Sequence, residues 1–316
     1  MGATLLVLGG VTPNPLHAQS LQFTSVQRLT NQEVALTLTA PVGRAYRIES
    51  STNVMDWNGL VTFATNITTS LQHTDSAAPY LPTRYYRATQ LTGTNIGGDH
   101  LTTTNGDVII QPRFHASFVM QWNGLMIYND PAPSATYPGL PKADLILVSH
   151  THGDHFSTAH IDAVRGASCV IIVPQAVYNS LTAAQMTNAI VLANGASTNV
   201  LGLTVSAVPA YNGNHPLGTG NGYVLNIGGK RIYASGDTGD QPEIRALPDI
   251  DVAFLSINIP FTMTAGAATN CIRAMRPKVV YPYHYRDQSN ATTNAATFKQ
   301  WLGTDFGIEV RLRKWY

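Results

Sequence analysis

The segment Ser149-His150-Thr151-His152-Gly153-Asp154-His155 places three histidines and one aspartate in a single short loop. It follows the run Asp144-Leu145-Ile146-Leu147-Val148, whose apolar residues predict a buried strand that ends where the histidines begin. Imidazole nitrogen and carboxylate oxygen are ligands for borderline divalent cations such as zinc. Four such groups at this spacing cannot all reach one ion, so we predict two neighbouring ions, one facing His150 and His152. The alternative is a histidine-rich loop that is merely solvated.

Length and composition limit what the rest of the chain can be. The 316 residues are 44% hydrophobic and 12% charged, which is enough for a buried core and favours two domains. A formal net charge of +1 provides no nucleic-acid footprint, so we predict no nucleic-acid partner. Because no run of about 20 apolar residues occurs, we predict no membrane span. The two cysteines, Cys169 and Cys271, are predicted to be buried free thiols, with a disulfide as the alternative.

Residues 1–20 resemble the remnant of a secretory signal peptide. They contain the apolar run Ala3-Thr4-Leu5-Leu6-Val7-Leu8 and a small-residue processing site at Leu16-His17-Ala18. They lack the basic start of such signals, because the first Lys or Arg is Arg28. We therefore predict a secreted or periplasmic protein whose true start differs from Met1.

Residues 21–92 have the pattern of a small all-β sandwich. Val34–Thr39 and Ala45–Glu49 alternate apolar and polar side chains with a period of two, and turn residues separate such runs. The pattern resembles the fibronectin- or Ig-like accessory domains of secreted bacterial enzymes. Trp57 and Tyr85 are predicted to be core residues, with binding of a polysaccharide or cell surface as the alternative. Residues 93–105, which are rich in Gly, Thr and Asn, are predicted to form a linker.

Residues 106–316 alternate predicted strands with predicted helices, which indicates a layered α/β domain. Three further candidate ligands, His215, Asp237 and His284, each come just after a predicted strand and beside Gly, Asn or Pro. A layered α/β fold gathers strand ends at one edge. Together with the loop at 149–155, these three residues supply five histidines and two aspartates. This set suits two metal ions bridged by a carboxylate and a water.

This ligand order resembles that of the metallo-β-lactamase superfamily. The surrounding sequence is similar to the ascorbate-6-phosphate-lactonase-like metal-dependent hydrolases, and the similar segments are Pro209–Asn212, His215-Pro216, Tyr233–Thr238, Phe261–Thr264 and Pro282–Tyr285. The resemblance implies a four-layer αββα sandwich over residues 106–316, preceded by the all-β domain. It is specific for the fold and the metal site, and weakly specific for the substrate.

The resemblance also implies a role for each predicted ligand. One ion is assigned to His150, His152 and His215, the other to Asp154, His155 and His284, and Asp237 bridges them. His115 and Asp130 match positions that such enzymes place near the site, and for His115 a hydrogen-bonded core histidine is the alternative. Zinc is the expected metal, and manganese and iron accept the same ligands.

Two ions that share one water lower its pKa to about 7, so a bridging hydroxide is available at neutral pH. We therefore predict a hydrolase that cleaves a small-molecule ester, lactone or phosphoester, with Asp154 and Asp237 as catalytic carboxylates. Arg286 is a candidate to bind an anionic group of the substrate. The remaining candidates to bind substrate are Tyr211, Asn212 and Tyr285.

Two alternatives to this function follow from the same residues. The ligand set also permits hydrolysis of β-lactams specifically. The second alternative is a protein of another class. It is a cell-surface binding protein that is anchored through the β-sandwich and whose metal domain performs no catalysis. Metal-dependent turnover distinguishes the enzymes from the binding protein.

Overall fold

The computed structural model describes residues 5–7, 20–92 and 96–316, which divide into two compact units. Unit 1 runs to Thr102 and includes Gly106–Gln111, and unit 2 comprises Thr103–Asn105 and Pro112–Tyr316. The predicted processing site at Leu16-His17-Ala18 lies outside the described residues, so export stays a prediction. Within the described part of the chain, no helix is long and apolar enough to cross a membrane.

Unit 1 is built from strands that form two sheets. The strands are β1 (Leu5–Val7), β2 (Gln22–Arg28), β3 (Val34–Thr39), β4 (Ala45–Ser51), β5 (Asn58–Phe63), β6 (Ser70–Asp75), β7 (Arg84–Leu91), β8 (Gly98–Thr102) and the first part of β9 (Asp107–Phe114). One sheet has the order β2-β3-β6, and the other follows β1-β7-β4-β5-β8-β9. A short 3-10 helix, Ala78–Tyr80, precedes β7.

The core of unit 1 lies between these sheets. The alternation of β3 buries Val34, Leu36 and Leu38, as its period-two pattern predicts. These residues join Tyr46 of β4 and Tyr86 of β7 in one apolar cluster. Side chains from both sheets therefore pack into a single interior, which is the arrangement of a β-sandwich.

Two sequence-based expectations for this region were wrong in detail. Trp57 and Tyr85 are half-buried and not core residues. Neighbours on a strand point to opposite faces, so Tyr86 enters the core while Tyr85 does not, and Trp57 instead packs under the Arg87 guanidinium at 4.5 Å. The predicted linker at 93–105 contains a strand, Gly98–Thr102, because its backbone pairs with β5 and β9.

Unit 2 contains two sheets and six helices among its described residues. The first sheet has the order β10 (Ser117–Trp122), β11 (Leu125–Asn129), β12 (Ala143–Leu147), β13 (Arg165–Val173) and β14 (Ala189–Val191). The second has the order β15 (Ser197–Val200), β16 (Leu203–Pro209), β17 (Asn221–Ile227), β18 (Lys230–Ala234), β19 (Val252–Ser256), β20 (Val279–Tyr283) and β21 (Glu309–Val310). The helices are α1 (Thr158–Val164), α2 (Gln175–Tyr178), α3 (Ala183–Met186), α4 (Pro242–Arg245), α5 (Ala265–Met275) and α6 (Thr293–Leu302).

Aromatic side chains join the two sheets of unit 2. Phe118 of β10 stacks on Phe254 of β19 with ring centroids 4.0 Å apart, and the buried Trp315 lies edge-on to both rings. Helices and two packed sheets in one unit agree with the predicted αββα class. Cys169 and Cys271 are buried free thiols, as predicted.

Strand direction explains why the polar loops of unit 2 meet. β11, β12 and β13 are parallel to one another, as are β18, β19 and β20, so within each group the carboxyl ends lie on one edge of the sheet. The loop at 149–155 follows β12, and it ends at α1, where Ser157 caps the helix by accepting from the His160 backbone. Asp237 follows β18 and His284 follows β20.

Candidate metal centre

The loop after β12 is held by a buried carboxylate. Asp130 Oδ1 accepts from the Ser149 backbone N–H at 2.7 Å, and Oδ2 accepts from the Ser149 hydroxyl at 2.8 Å. Oδ2 also contacts His155 Nδ1 at 2.9 Å, where the imidazole donates because an ionised carboxylate only accepts. His155 Nε2 is therefore unprotonated in the neutral ring, and its lone pair is available as a ligand. Asp130 lies beside the site, as the resemblance implies.

The first group of candidate ligands is His150, His152 and His215, whose ligand atoms all lie within 4.8 Å of one another. His152 Nδ1 and His215 Nε2 are 3.1 Å apart. His215 is oriented from behind by Asn212, whose Oδ1 lies 3.1 Å from His215 Nδ1. With the proton on Nδ1, the His215 lone pair points toward His152.

The second group surrounds Asp154. Its Oδ2 lies 2.9 Å from His115 Nε2, 3.4 Å from His284 Nε2 and 3.8 Å from His155 Nε2. The Asp154 side chain is 43% exposed, whereas His155 and His284 are buried. This group is therefore open to solvent on the side of Asp154.

Asp237 lies between the two groups. Its Oδ1 is 3.3 Å from His155 Nε2 and 3.6 Å from His284 Nε2. Its Oδ2 is 3.8 Å from His215 Nε2 and 3.9 Å from His150 Nε2. One carboxylate oxygen thus faces each group, and all seven predicted ligands converge.

Several of these buried polar atoms lack a hydrogen bond within the described ranges. They are Nε2 of His150, His155 and His284 and Oδ1 of Asp237. A buried polar group left without a partner costs about 1–3 kcal/mol, so such a cluster is unfavourable unless a ligand completes it. Imidazole nitrogens and carboxylate oxygens at these separations suit a divalent cation, so the residues present fit a metal.

Burial and charge shift the pKa values of the site together. Burial lowers the pKa of His150 well below its usual range, helped by the neighbouring His155. Burial acts the same way on His155, but Asp237 and Asp130 outweigh it and raise its pKa to about 9, so a bound cation would have to displace the proton of Nε2 at neutral pH. Burial would raise the pKa of Asp237, yet the surrounding histidines, His284 first, lower it to about 2. Asp237 is therefore an anion at neutral pH.

His284 is held by Asn258, which the sequence analysis did not identify. The Asn258 amide lies 3.1 Å from His284 Nδ1, and its carbonyl oxygen makes no hydrogen bond within the described chain. Amide oxygen and nitrogen have nearly the same shape. With the oxygen turned toward His284, it accepts from Nδ1–H, and the Nε2 lone pair is free to bind a metal.

The four predicted substrate contacts have different surroundings. Tyr211 is hydrogen-bonded to Glu243, which raises its pKa. The Asn212 amide donates to the carbonyls of Asp237 and Phe261, so it positions loops. The Tyr285 hydroxyl donates to the Arg313 carbonyl at 3.2 Å. These polar groups have partners within the chain, and their contact with a substrate stays a prediction.

Arg286 differs from these three residues. Its guanidinium stacks on Tyr316, 4.0 Å from the ring centroid, and lies 5.1 Å from that of Phe114. No described residue accepts a hydrogen bond from this guanidinium, so its N–H donors are available for an anion.

The sequence did not predict three residues of the site: Ser149 and Asn258, which contact candidate ligands, and Tyr316, which contacts His115. Ser149 directly precedes the first histidine, and its position in the loop was the available signal. Asn258 and Tyr316 lie far from the ligand motifs in sequence and carry no such signal.

Comparison with known proteins agrees with this geometry. Residues 111–284 match the family described as the beta-lactamase superfamily domain. A UPF0173 metal-dependent hydrolase of Pelotomaculum thermopropionicum is 33% identical over 184 residues, covering 54% of this chain and 79% of that protein. Another, from Thermococcus kodakarensis, is 31% identical over 202 residues, covering 60% and 89%.

Solved structures show the same relationship. One from Parabacteroides distasonis, described as a candidate metal-dependent hydrolase, has a TM-score of 0.62 and 36% identity, and covers 68% of this chain and 97% of that one. A metallo hydrolase of Ignicoccus hospitalis shares the fold, with a TM-score of 0.57, 24% identity and coverage of 66% and 95%. The chain therefore belongs to the beta-lactamase superfamily, as a metal-dependent hydrolase of the metallo-β-lactamase fold.

Proposed function

We propose that this enzyme uses two divalent ions to hydrolyse a small-molecule ester, lactone or phosphoester. His150, His152 and His215 would hold one ion, Asp154, His155 and His284 would hold the other, and Asp237 would face both. The observation that carries the proposal is the position of Asp237, because each of its oxygens faces a different histidine group at 3.3–3.9 Å.

The chemistry divides between the ions and the chain. When bound, such ions acidify a shared water and polarise the bond to be broken. Asp237 supplies the negative charge that keeps two cations close together, since it is ionised at neutral pH. Asp154 is the partly exposed carboxylate of the site, and His115 holds its Oδ2, which leaves Oδ1 to orient the attacking water.

The substrate class follows from the groups beside the ions. Arg286 offers guanidinium donors that suit a carboxylate or phosphate on the substrate. The lactonase-like sequence around His215 and His284 makes lactones the first compounds to test. Zinc is the proposed metal because nitrogen ligands dominate the set, and manganese and iron are the competitors.

Elemental mass spectrometry of freshly purified protein tests the metal count. We expect about two ions per chain. Fewer than one, not restored by added zinc or manganese, would refute the proposed centre.

A turnover panel then tests the reaction. Metal-loaded protein is assayed with lactones, carboxylic esters, β-lactams and phosphodiesters, each with and without chelator. We expect chelator-sensitive cleavage of a lactone, ester or phosphoester. Turnover restricted to nitrocefin and related compounds would establish the β-lactamase alternative, and two bound ions without any turnover would favour the binding-protein alternative.

A further inference from the structure

Tyr316 and His115 form a chain of hydrogen bonds that leads to Asp154. His115 Nδ1 lies 2.8 Å from the Tyr316 hydroxyl, and His115 Nε2 lies 2.9 Å from Asp154 Oδ2. The Tyr316 oxygen also accepts from the Arg286 backbone N–H at 3.2 Å. The chain therefore runs from the backbone beside His284 to a candidate ligand.

The direction of each hydrogen bond in this chain is fixed by chemistry. The Asp154 carboxylate can only accept, so His115 Nε2 must carry a proton and donate to it. A neutral imidazole has one N–H, which leaves Nδ1 as an acceptor. Tyr316 must then donate its hydroxyl proton to Nδ1, and its oxygen accepts from Arg286.

His115 is itself held firmly. Its backbone carbonyl accepts from the His284 N–H at 3.1 Å, and its ring centroid lies 3.7 Å from that of His284. With its proton on Nε2 and with Nδ1 accepting from Tyr316, His115 has no free lone pair to offer a metal, although it lies close to Asp154 and His284. It holds the partly exposed Asp154 instead.

We propose that Tyr316 is a positioning residue that holds His115 in the tautomer that donates to Asp154 and thereby orients Asp154 for the second ion. The inference rests on the proposed two-ion function. Partners that orient a metal ligand typically contribute 10- to 100-fold in metal affinity. Because Tyr316 acts through one intermediate, we expect about a tenfold effect.

Cobalt titration of the metal-free enzyme tests the role, because the visible Co²⁺ spectrum reports ligand geometry without any turnover. Y316F removes the hydroxyl and keeps the ring under Arg286. We expect about tenfold weaker binding of the second ion and a changed spectrum. The matched control is Y128F, which likewise removes one tyrosine hydroxyl from unit 2, in this case one that donates to the Pro141 carbonyl at 2.7 Å. Its affinity and spectrum should match those of wild type.

A double-mutant cycle tests the route through His115. In H115Q an amide N–H takes the place of Nε2–H and has no tautomer for Tyr316 to hold, so the H115Q single variant is the reference for the second half of the cycle. Adding Y316F to H115Q should then change nothing. An effect of Y316F that persists in the H115Q background would overturn the inference, as would a Y316F spectrum identical to that of wild type. If wild type binds one cobalt ion, the two-ion proposal fails, and Tyr316 is judged by whether Y316F alters that ion's spectrum.

Discussion

Unit 1 and unit 2 each contain a buried histidine next to a carboxylate, but only one of the two arrangements is complete. In unit 1, His100 Nδ1 lies 2.7 Å from Asp107 Oδ2, and Nε2 lies 2.8 Å from the Thr62 hydroxyl. Both ring nitrogens have protein partners. In unit 2, His155 Nδ1 meets Asp130 at 2.9 Å, and Nε2 makes no hydrogen bond within the described chain.

The difference separates a structural histidine from a candidate ligand. His100 joins β8 to β5 and to β9, and its hydrogen bonds leave nothing for a ligand to complete. His155 has one nitrogen fixed and the other directed at Asp237, 3.3 Å from Oδ1. Whether the second nitrogen has a partner is thus more informative than burial or a nearby carboxylate, since both histidines have these.

The largest expected effect comes from Asp237. In D237A the two histidine groups lose the carboxylate that lies between them, so cations held there would repel each other without compensation. We expect metal content to fall below two ions per chain and turnover to fall more than about 100-fold, beyond the range typical of supporting residues. Elemental analysis and turnover on the best substrate provide the measurement. An unchanged ion count would mean that Asp237 does not bridge.

Asp130 should have the next largest effect. D130N keeps the shape of the side chain but can present an amide N–H to His155 Nδ1, which removes the preference for protonation there. We expect metal binding to weaken about 10- to 100-fold, measured by competition with a chromophoric chelator. S149A removes the hydroxyl that donates to the Asp130 carboxylate, and we expect it to weaken metal binding less than D130N does. Equal affinity in D130N and wild type would contradict the assigned role.

The unit 1 network should affect stability alone. H100A leaves the buried Thr62 hydroxyl and the Asp107 carboxylate without their imidazole partner, so we expect a loss of about 1–3 kcal/mol in the free energy of unfolding. Metal content should equal that of wild type. Denaturant unfolding measures the stability, and elemental analysis of the same sample measures the metal content. Loss of metal from folded H100A would contradict the purely structural role of His100.

The smallest effect is a pH dependence in the same network. The hydrogen bond from His100 lowers the pKa of Asp107, so the carboxylate stabilises the fold above its unfolded pKa of about 4. This contribution is lost as pH falls through the lower, folded pKa. We therefore expect D107N to be about 1 kcal/mol less stable than wild type at pH 7, with the gap closing below about pH 4. Thermal unfolding of wild type and D107N between about pH 3 and pH 7 measures the difference in stability. A difference that grows as the pH falls would contradict the lowered pKa of Asp107.

Prediction from sequence succeeded where a pattern is local. The strand before His150 and the alternation on β3 follow from the order of apolar side chains. Prediction failed where partners are distant in the chain. The composition of residues 93–105 predicts a linker, yet the backbone of Gly98–Thr102 pairs with strands on both sides. The hydroxyl of Tyr285, a predicted substrate contact, donates to the Arg313 carbonyl, a partner that no local pattern indicates.

The sequence alone determined the fold class and the set of candidate ligands. Metal-binding side chains directly after predicted strands form a pattern that can be seen from the order of residues. Only the tertiary structure decided how those ligands are oriented. Asp130, Asn258 and Tyr316 each contact a histidine far away in sequence, at 2.8–3.1 Å. A hydrogen bond of that length forms only where the fold brings two distant segments of backbone together. For these pairs no local motif indicates that the segments are neighbours. Those contacts decide which nitrogen of each of these imidazoles carries the proton, and for His155 and His284 they leave the Nε2 lone pair to a metal.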